Sequence, residues 1–98
     1  MYIHNMRITF DQEKRDRTWL ERGLAFEDAT RVFEGLHVTL PDDRRDYGEP
    51  RFLTFGLLDG KAVSLVWTPR DGTCRMISMR YANERERARF AEYLGRSG

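Results

Sequence analysis

The chain contains 98 residues, which fits a single domain over residues 1–98, because domains commonly have roughly 100–150 residues. Its 17 Lys and Arg residues are balanced by 16 Asp and Glu residues, so the net charge of +1 excludes a strong whole-molecule field for nucleic acid. Any basic site must therefore be local. A hydrophobic fraction of 40% argues against a disordered chain. No apolar run approaches the ~18 residues of a membrane span, and the N-terminus lacks the apolar core of a signal peptide, so we expect a cytoplasmic protein without a membrane partner.

The N-terminal third predicts one strand and two short helices. Loose alternation over Tyr2–Phe10 indicates a first strand. Asp11 is a suitable N-cap for a helix that ends at Gly23, where glycine suits the left-handed stop. Apolar residues at helical spacing then predict a second helix from Phe26 to about Gly35.

The rest of the chain predicts a β-meander followed by a third helix. His37–Leu40 is typical of a short strand, and the charged, turn-rich segment Pro41–Pro50 predicts a mobile surface loop. Two Asp-Gly pairs, the strongest short-range hairpin signal, separate three strand-like runs: Arg51–Asp59, Lys61–Pro69 and Thr73–Tyr81. Asn83 and Glu86 form a capping box for the last helix. The pattern as a whole predicts an α+β fold.

Two-residue turns fix the register of the meander and therefore its faces. The closing pairs are Leu58 with Lys61 and Arg70 with Thr73. Regular alternation assigns the first face to Phe52, Thr54, Leu58, Val63, Leu65, Trp67, Met76, Ser78 and Arg80. It assigns the second face to Arg51, Leu53, Phe55, Val66, Arg75, Ile77 and Met79. Arg75 and Arg80 are then on opposite faces, and Trp67 pairs with Phe52 in the core.

One row of this sheet carries two guanidiniums and a hydroxyl, from Arg51, Thr68 and Arg75. A guanidinium presents a planar fork of donors and stays charged, so two of them predict a phosphate site. Glu49, two residues before Arg51, is the candidate general base, and the loop residue Tyr47 is a candidate for base stacking or for proton donation. The alternative is an ion-pair network of Glu49, Arg51 and Arg75 that only solvates the end of the sheet.

Other polar residues have weaker claims. Arg80 is a candidate second anion contact beside the free amides at Asn83, or it ties the strand to a carboxylate such as Glu84. His4 and His37 lack neighbours at metal-ligand spacing, which leaves His37 a minor claim as an acid. The lone cysteine, Cys74, is expected to be a small core side chain, and we expect no metal and no cofactor.

Taken together, these residues resemble the BrnT family, which are toxins of bacterial type II toxin–antitoxin pairs with a RelE-like fold. The resemblance runs from the first strand nearly to the last helix. The matching pieces, in order, are Phe10-Asp11, Lys14, Gly23, Phe26-Glu27-Asp28-Ala29, Val32-Phe33, Glu49 with Arg51, Arg75-Met76-Ile77-Ser78-Met79-Arg80, Ala82 and Glu86-Arg87. The chain departs from the family pattern at Thr18, Glu21 and Arg22, which stand in place of Asn, Lys and His. An arginine at position 22 stays protonated and cannot act as a base.

The resemblance implies an endoribonuclease toxin that inhibits translation and growth. Its partners would be RNA as substrate and a BrnA-like antitoxin with a ribbon-helix-helix domain, in a heterotetramer that touches DNA only through the antitoxin. The candidate site residues are Glu49, Arg51, Arg75 and Arg80, which stand in the matching motifs, and the loop residue Tyr47 as a weaker acid candidate. Two other functions stay open. The first is a decayed toxin that only binds the antitoxin, and Arg22 in place of the family histidine supports it. The second is a nucleic-acid-binding module that uses the arginine row alone.

Overall fold

The computed structural model describes residues 7–97 of the chain. They form five strands, three α-helices and one 3₁₀ turn. In chain order the elements are β1 (Ile8–Thr9), α1 (Gln12–Arg22), a 3₁₀ turn (Phe26–Asp28), α2 (Ala29–Glu34), β2 (His37–Pro41), β3 (Phe52–Leu58), β4 (Lys61–Arg70), β5 (Thr73–Tyr81) and α3 (Glu84–Ser97). The α+β class and the meander are therefore confirmed. Residues 2–6 of the predicted first strand lie outside the described residues.

Both ends of α1 are closed by the residues that the sequence predicted. The Asp11 carboxylate accepts a hydrogen bond from the Glu13 amide at 2.9 Å, which satisfies a free donor of the first turn. At the other end, Gly23 adopts φ 69° and donates its amide to the Trp19 carbonyl. A residue with a Cβ is strained at that angle, so glycine is the natural stop.

The five strands form one sheet in the order β1-β5-β4-β3-β2. The meander β3-β4-β5 is antiparallel, and its two closing pairs, Leu58 with Lys61 and Arg70 with Thr73, are as predicted. Asp59 and Asp71 have φ near 50° and the following glycines have φ of 79° and 75°, as two-residue turns of type I′ require. β2 extends the sheet antiparallel to β3, and β1 adds to the far edge parallel to β5.

A β-bulge in β5 corrects the predicted faces. Val66 pairs with Ser78, whereas Trp67 pairs with Met76, so Ile77 is an extra residue in β5. Beyond the bulge every side chain is on the face opposite to the predicted one. Met79 therefore lies in the core beside Leu65 rather than on the second face, and Ser78 lies on the second face.

The bulge also moves Arg80, and the prediction that Arg75 and Arg80 are on opposite faces is wrong. Arg75 pairs with Thr68 and Arg80 pairs with Ser64. Positions 64 and 68 are an even number of residues apart in β4, so both arginines are on the same side of the sheet. We call this side the arginine face; it carries Ser64, Val66, Thr68, Arg75 and Arg80.

The opposite side of the sheet, which we call the core face, packs against α2 and the 3₁₀ turn. Its fully buried side chains include Phe26, Val32, Leu65, Trp67, Met76 and Met79. Trp67 stacks on Phe52 with ring centres 4.9 Å apart and donates its indole N–H to the Thr54 hydroxyl at 2.9 Å. The predicted core role of this aromatic pair is confirmed. Cys74 is also buried in the core, and burial raises the pKa of its thiol to about 12.

The last helix, α3, begins with the predicted capping box. The Asn83 side chain accepts from the Glu86 amide at 2.8 Å, and the Glu86 carboxylate accepts from the Asn83 amide at 2.9 Å. Phe90 is buried, so this helix covers part of the arginine face. Within residues 7–97 no helix is long and apolar enough to cross a membrane.

Candidate functional site

An open cleft of about 410 Å³ lies where the loop between β2 and β3 folds over the end of the sheet. It is lined by Asp42, Asp43, Arg45, Asp46, Tyr47, Glu49, Arg51 and Phe52, together with two prolines. The backbone continues the β2–β3 ladder one step into this loop, since the Asp42 amide donates to the Arg51 carbonyl at 2.8 Å. Three of the predicted site residues, Tyr47, Glu49 and Arg51, are therefore together in one cleft.

Arg51 is the central cation of the cleft. Its guanidinium carbon lies 4.0 Å from the centre of the Tyr47 ring, a distance at which a cation is attracted by the ring face. Its Nε atom is buried and has no hydrogen-bond partner among the described residues. The stack therefore holds the guanidinium in place, and its Nε–H is left without a close hydrogen bond.

Glu49 lies between two arginines. Its carboxylate accepts a hydrogen bond from Arg70 at 2.8 Å, and its second oxygen lies 3.5 Å from Arg51 Nε. The hydrogen bond from Arg70, followed by the pair with Arg51, lowers the pKa of Glu49 below its ordinary value. In the free protein Glu49 is thus an ionised carboxylate and a weak base.

Sequence reasoning missed Arg70, although the signal was present. Phe52 pairs with Trp67, and extending this antiparallel register outward by three residues brings Glu49 opposite Arg70. Opposite charges in that position attract, as cross-strand pairs do. The alternative of a rim ion-pair network is therefore realised by Glu49, Arg51 and Arg70 rather than by Arg75.

Arg75 lies beside the cleft and does not line it. It pairs with Thr68 across β4, and Thr68 donates its hydroxyl to the Pro50 carbonyl at 2.5 Å, next to Arg51. With strands about 4.8 Å apart, Arg51 and Arg75 are separated by roughly 10 Å at their Cα atoms. Arg75 is half-buried and forms no ion pair with any residue in the described range 7–97. It is therefore a second cation with donors free, on the same face as Arg51.

A second ion pair stabilises the loop between β2 and β3 that lines the cleft, and the sequence analysis did not predict this pair. Arg44 donates two hydrogen bonds of 2.7 and 2.8 Å to the Asp42 carboxylate, and these bonds lower the pKa of Asp42. The Asp42 side chain is almost fully buried, and the Tyr47 hydroxyl lies 3.5 Å from Oδ2, which also accepts a hydrogen bond from Arg44. This buried carboxylate fixes the loop and orients the tyrosine ring.

Arg80 is engaged with the last helix. Two of its nitrogens bind the two oxygens of Glu86 at 2.6 Å each, and these bonds lower the pKa of Glu86. The partner is Glu86 rather than the predicted Glu84. This geometry favours the second of the two interpretations of Arg80, in which the side chain ties β5 to α3.

The candidate His37 is distant from the cleft. His37 lies at the start of β2, where it binds the Gly35 carbonyl at 2.8 Å, whereas Pro41 at the other end of the strand lines the cleft. Four strand residues separate them by roughly 13 Å, so the claim of His37 as an acid fails on distance. His4 lies outside the described residues.

The family departure at position 22 concerns a different part of the fold. Arg22 donates to the Met79 carbonyl at 2.9 Å and so ties the end of α1 to β5. Met79 pairs with Leu65, four residues along β4 from Pro69 and the cleft end of the sheet. Arginine at this position therefore removes no group from the cleft. In the described part of the chain no three His, Cys, Asp or Glu side chains cluster as metal ligands would.

The fold and the cleft define a small α+β domain with a charged cleft at one end of its sheet. The family described as "Ribonuclease toxin, BrnT, of type II toxin-antitoxin system" matches residues 10–86, which include the whole cleft and both hairpins. The chain belongs to this family. Membership implies a ribonuclease toxin of a type II toxin–antitoxin system and an antitoxin protein as its partner. A search of the curated proteins finds no match to the chain.

Proposed function

We propose that this chain is a metal-independent endoribonuclease whose active site is the cleft of Tyr47, Glu49 and Arg51, with Arg75 as the adjoining cation. The observation that carries the proposal is the state of Arg51. Its guanidinium is held against Tyr47, and its Nε atom makes no hydrogen bond among the described residues, since the Glu49 carboxylate beside it lies 3.5 Å away. A buried donor without a partner costs stability, so a ligand that supplies acceptor oxygens is the natural complement. A phosphodiester supplies them.

The proposed reaction is attack of the RNA 2′-hydroxyl on the adjacent phosphorus. The O2′–P bond forms and the P–O5′ bond breaks, which leaves a cyclic phosphate and a free 5′-hydroxyl. Arg51 and Arg75 stabilise the charge that develops on the phosphate oxygens, and donors that are already in place do this most effectively. Glu49 takes the proton of the 2′-hydroxyl, and Tyr47 is the candidate that returns a proton to the leaving O5′.

Binding of RNA would itself activate Glu49. The hydrogen bond from Arg70 is the largest cause of its lowered pKa. A phosphate that engages Arg70 and Arg51 draws both guanidiniums from the carboxylate, so the pKa of Glu49 rises and the group becomes a stronger base. Glu49 is thus ionised and hydrogen-bonded in the free protein, and it becomes the stronger base when the substrate phosphate takes its arginine partners.

Arg80 enters the proposal as a positioning residue. Its fork is filled by Glu86, which supports a role in fixing α3 against the sheet. A second anion contact by Arg80 would require that this pair opens.

The partner that we propose is a BrnA-like antitoxin with a ribbon-helix-helix domain, bound in a heterotetramer, through which the toxin reaches DNA only indirectly. We place this complex in the cytoplasm. A short neighbouring gene for a ribbon-helix-helix protein, and its co-purification with this chain, would support the pairing. A decayed toxin would instead bind the antitoxin without arresting growth when it is expressed alone.

RNA cleavage in EDTA tests the proposal. We expect the wild-type protein to cleave single-stranded RNA in EDTA and to leave cyclic phosphate ends. We expect Arg75→Ala and Glu49→Gln to lose most of this activity. Full activity in both variants would reject the assigned residues, and a requirement for added metal would reject the mechanism.

A further inference from the structure

The cleft does not end at the active site proposed above. Two further concavities, of about 310 and 240 Å³, continue from it along the arginine face towards α3. The first shares Pro41, Asp42 and Asp43 with the cleft, and the two share Arg44, Leu53 and Arg89 with each other. Together they form one groove between the β2–β3 loop and α3, which we call the α3 groove.

The α3 groove carries one surplus positive charge when Arg80, the partner of Glu86, is counted with its lining. Two of its carboxylates are neutralised inside the protein, since Asp42 is paired with Arg44 and Glu86 with Arg80. One exposed carboxylate, that of Asp43, remains near the cleft end. At the far end, two exposed arginines on the wall have no carboxylate partner in the described part of the chain: Arg85 and Arg89.

These two arginines are placed to act together. They are four residues apart on α3, so their side chains leave the helix on one face, about 6 Å apart at their Cβ atoms. The Arg89 guanidinium lies 6.0 Å from the Tyr93 ring centre, at the edge of cation–π range, and Arg89 lines both concavities. The groove floor is apolar, with Leu40 and Leu53 half-buried.

We propose that the α3 groove binds the single-stranded RNA that flanks the scissile phosphodiester. Arg85 and Arg89 contact phosphates, and a base lies on the apolar floor at Leu53. A positively charged groove that follows the phosphate backbone is one part of how proteins hold single strands without reading sequence. This inference rests on the proposed ribonuclease function, and continuity with the cleft favours RNA over an acidic segment of the antitoxin.

Binding of an RNA that cannot be cleaved separates this inference from the chemistry. The probe is a single-stranded RNA of roughly 12 nucleotides with 2′-O-methyl groups, within the length that small single-strand sites cover. Its affinity is measured by fluorescence anisotropy for wild type, for Arg85→Gln/Arg89→Gln, and for the control Lys14→Gln/Arg17→Gln. The control pair is exposed on α1, away from the groove, and removes the same charge.

Each phosphate contact contributes about 0.7 to the slope of log affinity against log salt, so two contacts contribute about 1.4. We therefore expect the groove variant to lose affinity about tenfold near physiological salt and to show a shallower slope by about that amount. The control should match wild type. Glutamine keeps the helical propensity of α3, and circular dichroism checks that both variants fold.

Equal RNA affinity in the groove variant and wild type would overturn the inference and leave the surplus charge to a protein partner. Equal losses in the groove and control variants would also overturn it, because the effect would then be one of net charge. The proposed function fails separately: a wild-type protein that binds the probe through Arg85 and Arg89 but does not cleave unmodified RNA would keep the groove and reject the ribonuclease.

Discussion

Replacing Arg51 tests whether one guanidinium stabilises the transition state. In Arg51→Gln the positive charge and the fork are both lost, and removing one preorganised donor of this kind costs about 2.7–4 kcal/mol, or 10²–10³ in kcat. In Arg51→Lys the charge stays but the bidentate geometry is lost, which costs about 1.5 kcal/mol, or roughly tenfold. We therefore expect activity in the order wild type, Lys, Gln.

Stability should change much less than activity in these variants. Arg51 Nε makes no hydrogen bond among the described residues, and its 3.5 Å ion pair with the partly exposed Glu49 contributes about 0–1 kcal/mol. The stack on Tyr47 is lost, and contacts of this kind contribute about 0.5–1 kcal/mol at exposed sites. Urea unfolding of the same variants measures this cost directly, and it should be well below the cost in kcat.

The assay is single-turnover cleavage of a labelled RNA, with Arg17→Gln on α1 as the charge-matched control. An Arg51→Gln protein that is folded and cleaves within threefold of wild type would refute the reasoning. So would a Lys variant as inactive as the Gln variant, because charge without the fork would then contribute nothing.

Three further predictions follow from the charges and packing. Arg70→Gln removes the main cause of the lowered pKa of Glu49, so the acidic limb of kcat/KM against pH should move up towards the ordinary value of about 4.5; an unmoved limb contradicts the base assignment. Arg80 lowers the pKa of Glu86, so the stability that this pair contributes is complete above about pH 4.5 and is lost as pH falls through the folded pKa of Glu86. Glu86→Gln should remove this part of the acid dependence of the free energy of unfolding in urea. An unchanged acid dependence would contradict the role of the pair. In Gly56→Ala the new Cβ would lie 2.5 Å from a methyl group of buried Val32, which should cost about 1–3 kcal/mol, whereas an unchanged unfolding midpoint would show that the helix shifts freely.

The candidate site could be predicted from the sequence in part. Tyr47, Glu49 and Arg51 are close in the chain, on one side of a predicted hairpin, so their proximity follows from local geometry. The pairing of Arg70 with Glu49 could also be predicted, by extending the register of the same hairpin. The Asp42–Arg44 pair could not be predicted from the sequence. The path of a ten-residue loop depends on which carboxylate becomes buried, and no local sequence pattern indicates which one it is.

The faces of β5 show where local reasoning ends. Met76 and Met79 are three residues apart and cannot share a face of a regular strand, yet both are buried in the core. The bulge at Ile77 resolves this, since it brings both methionines inwards. It also turns Arg80 onto the face of Arg75. The odd spacing of the methionines was visible in the sequence, but the bulge position depends on packing across three strands.

The sequence by itself determined the caps of α1 and α3, the two Asp-Gly turns, the closing pairs of the two hairpins and the family. These features depend on residues within four positions of each other or on a pattern along the chain, so no tertiary contact is needed to state them. Only the tertiary structure decided the bulge, the ion pair of Arg80 with Glu86, and the groove that links the cleft to α3. Each of these depends on competition for burial between segments distant in the chain, which fixes where the arginines point and which of them remain free.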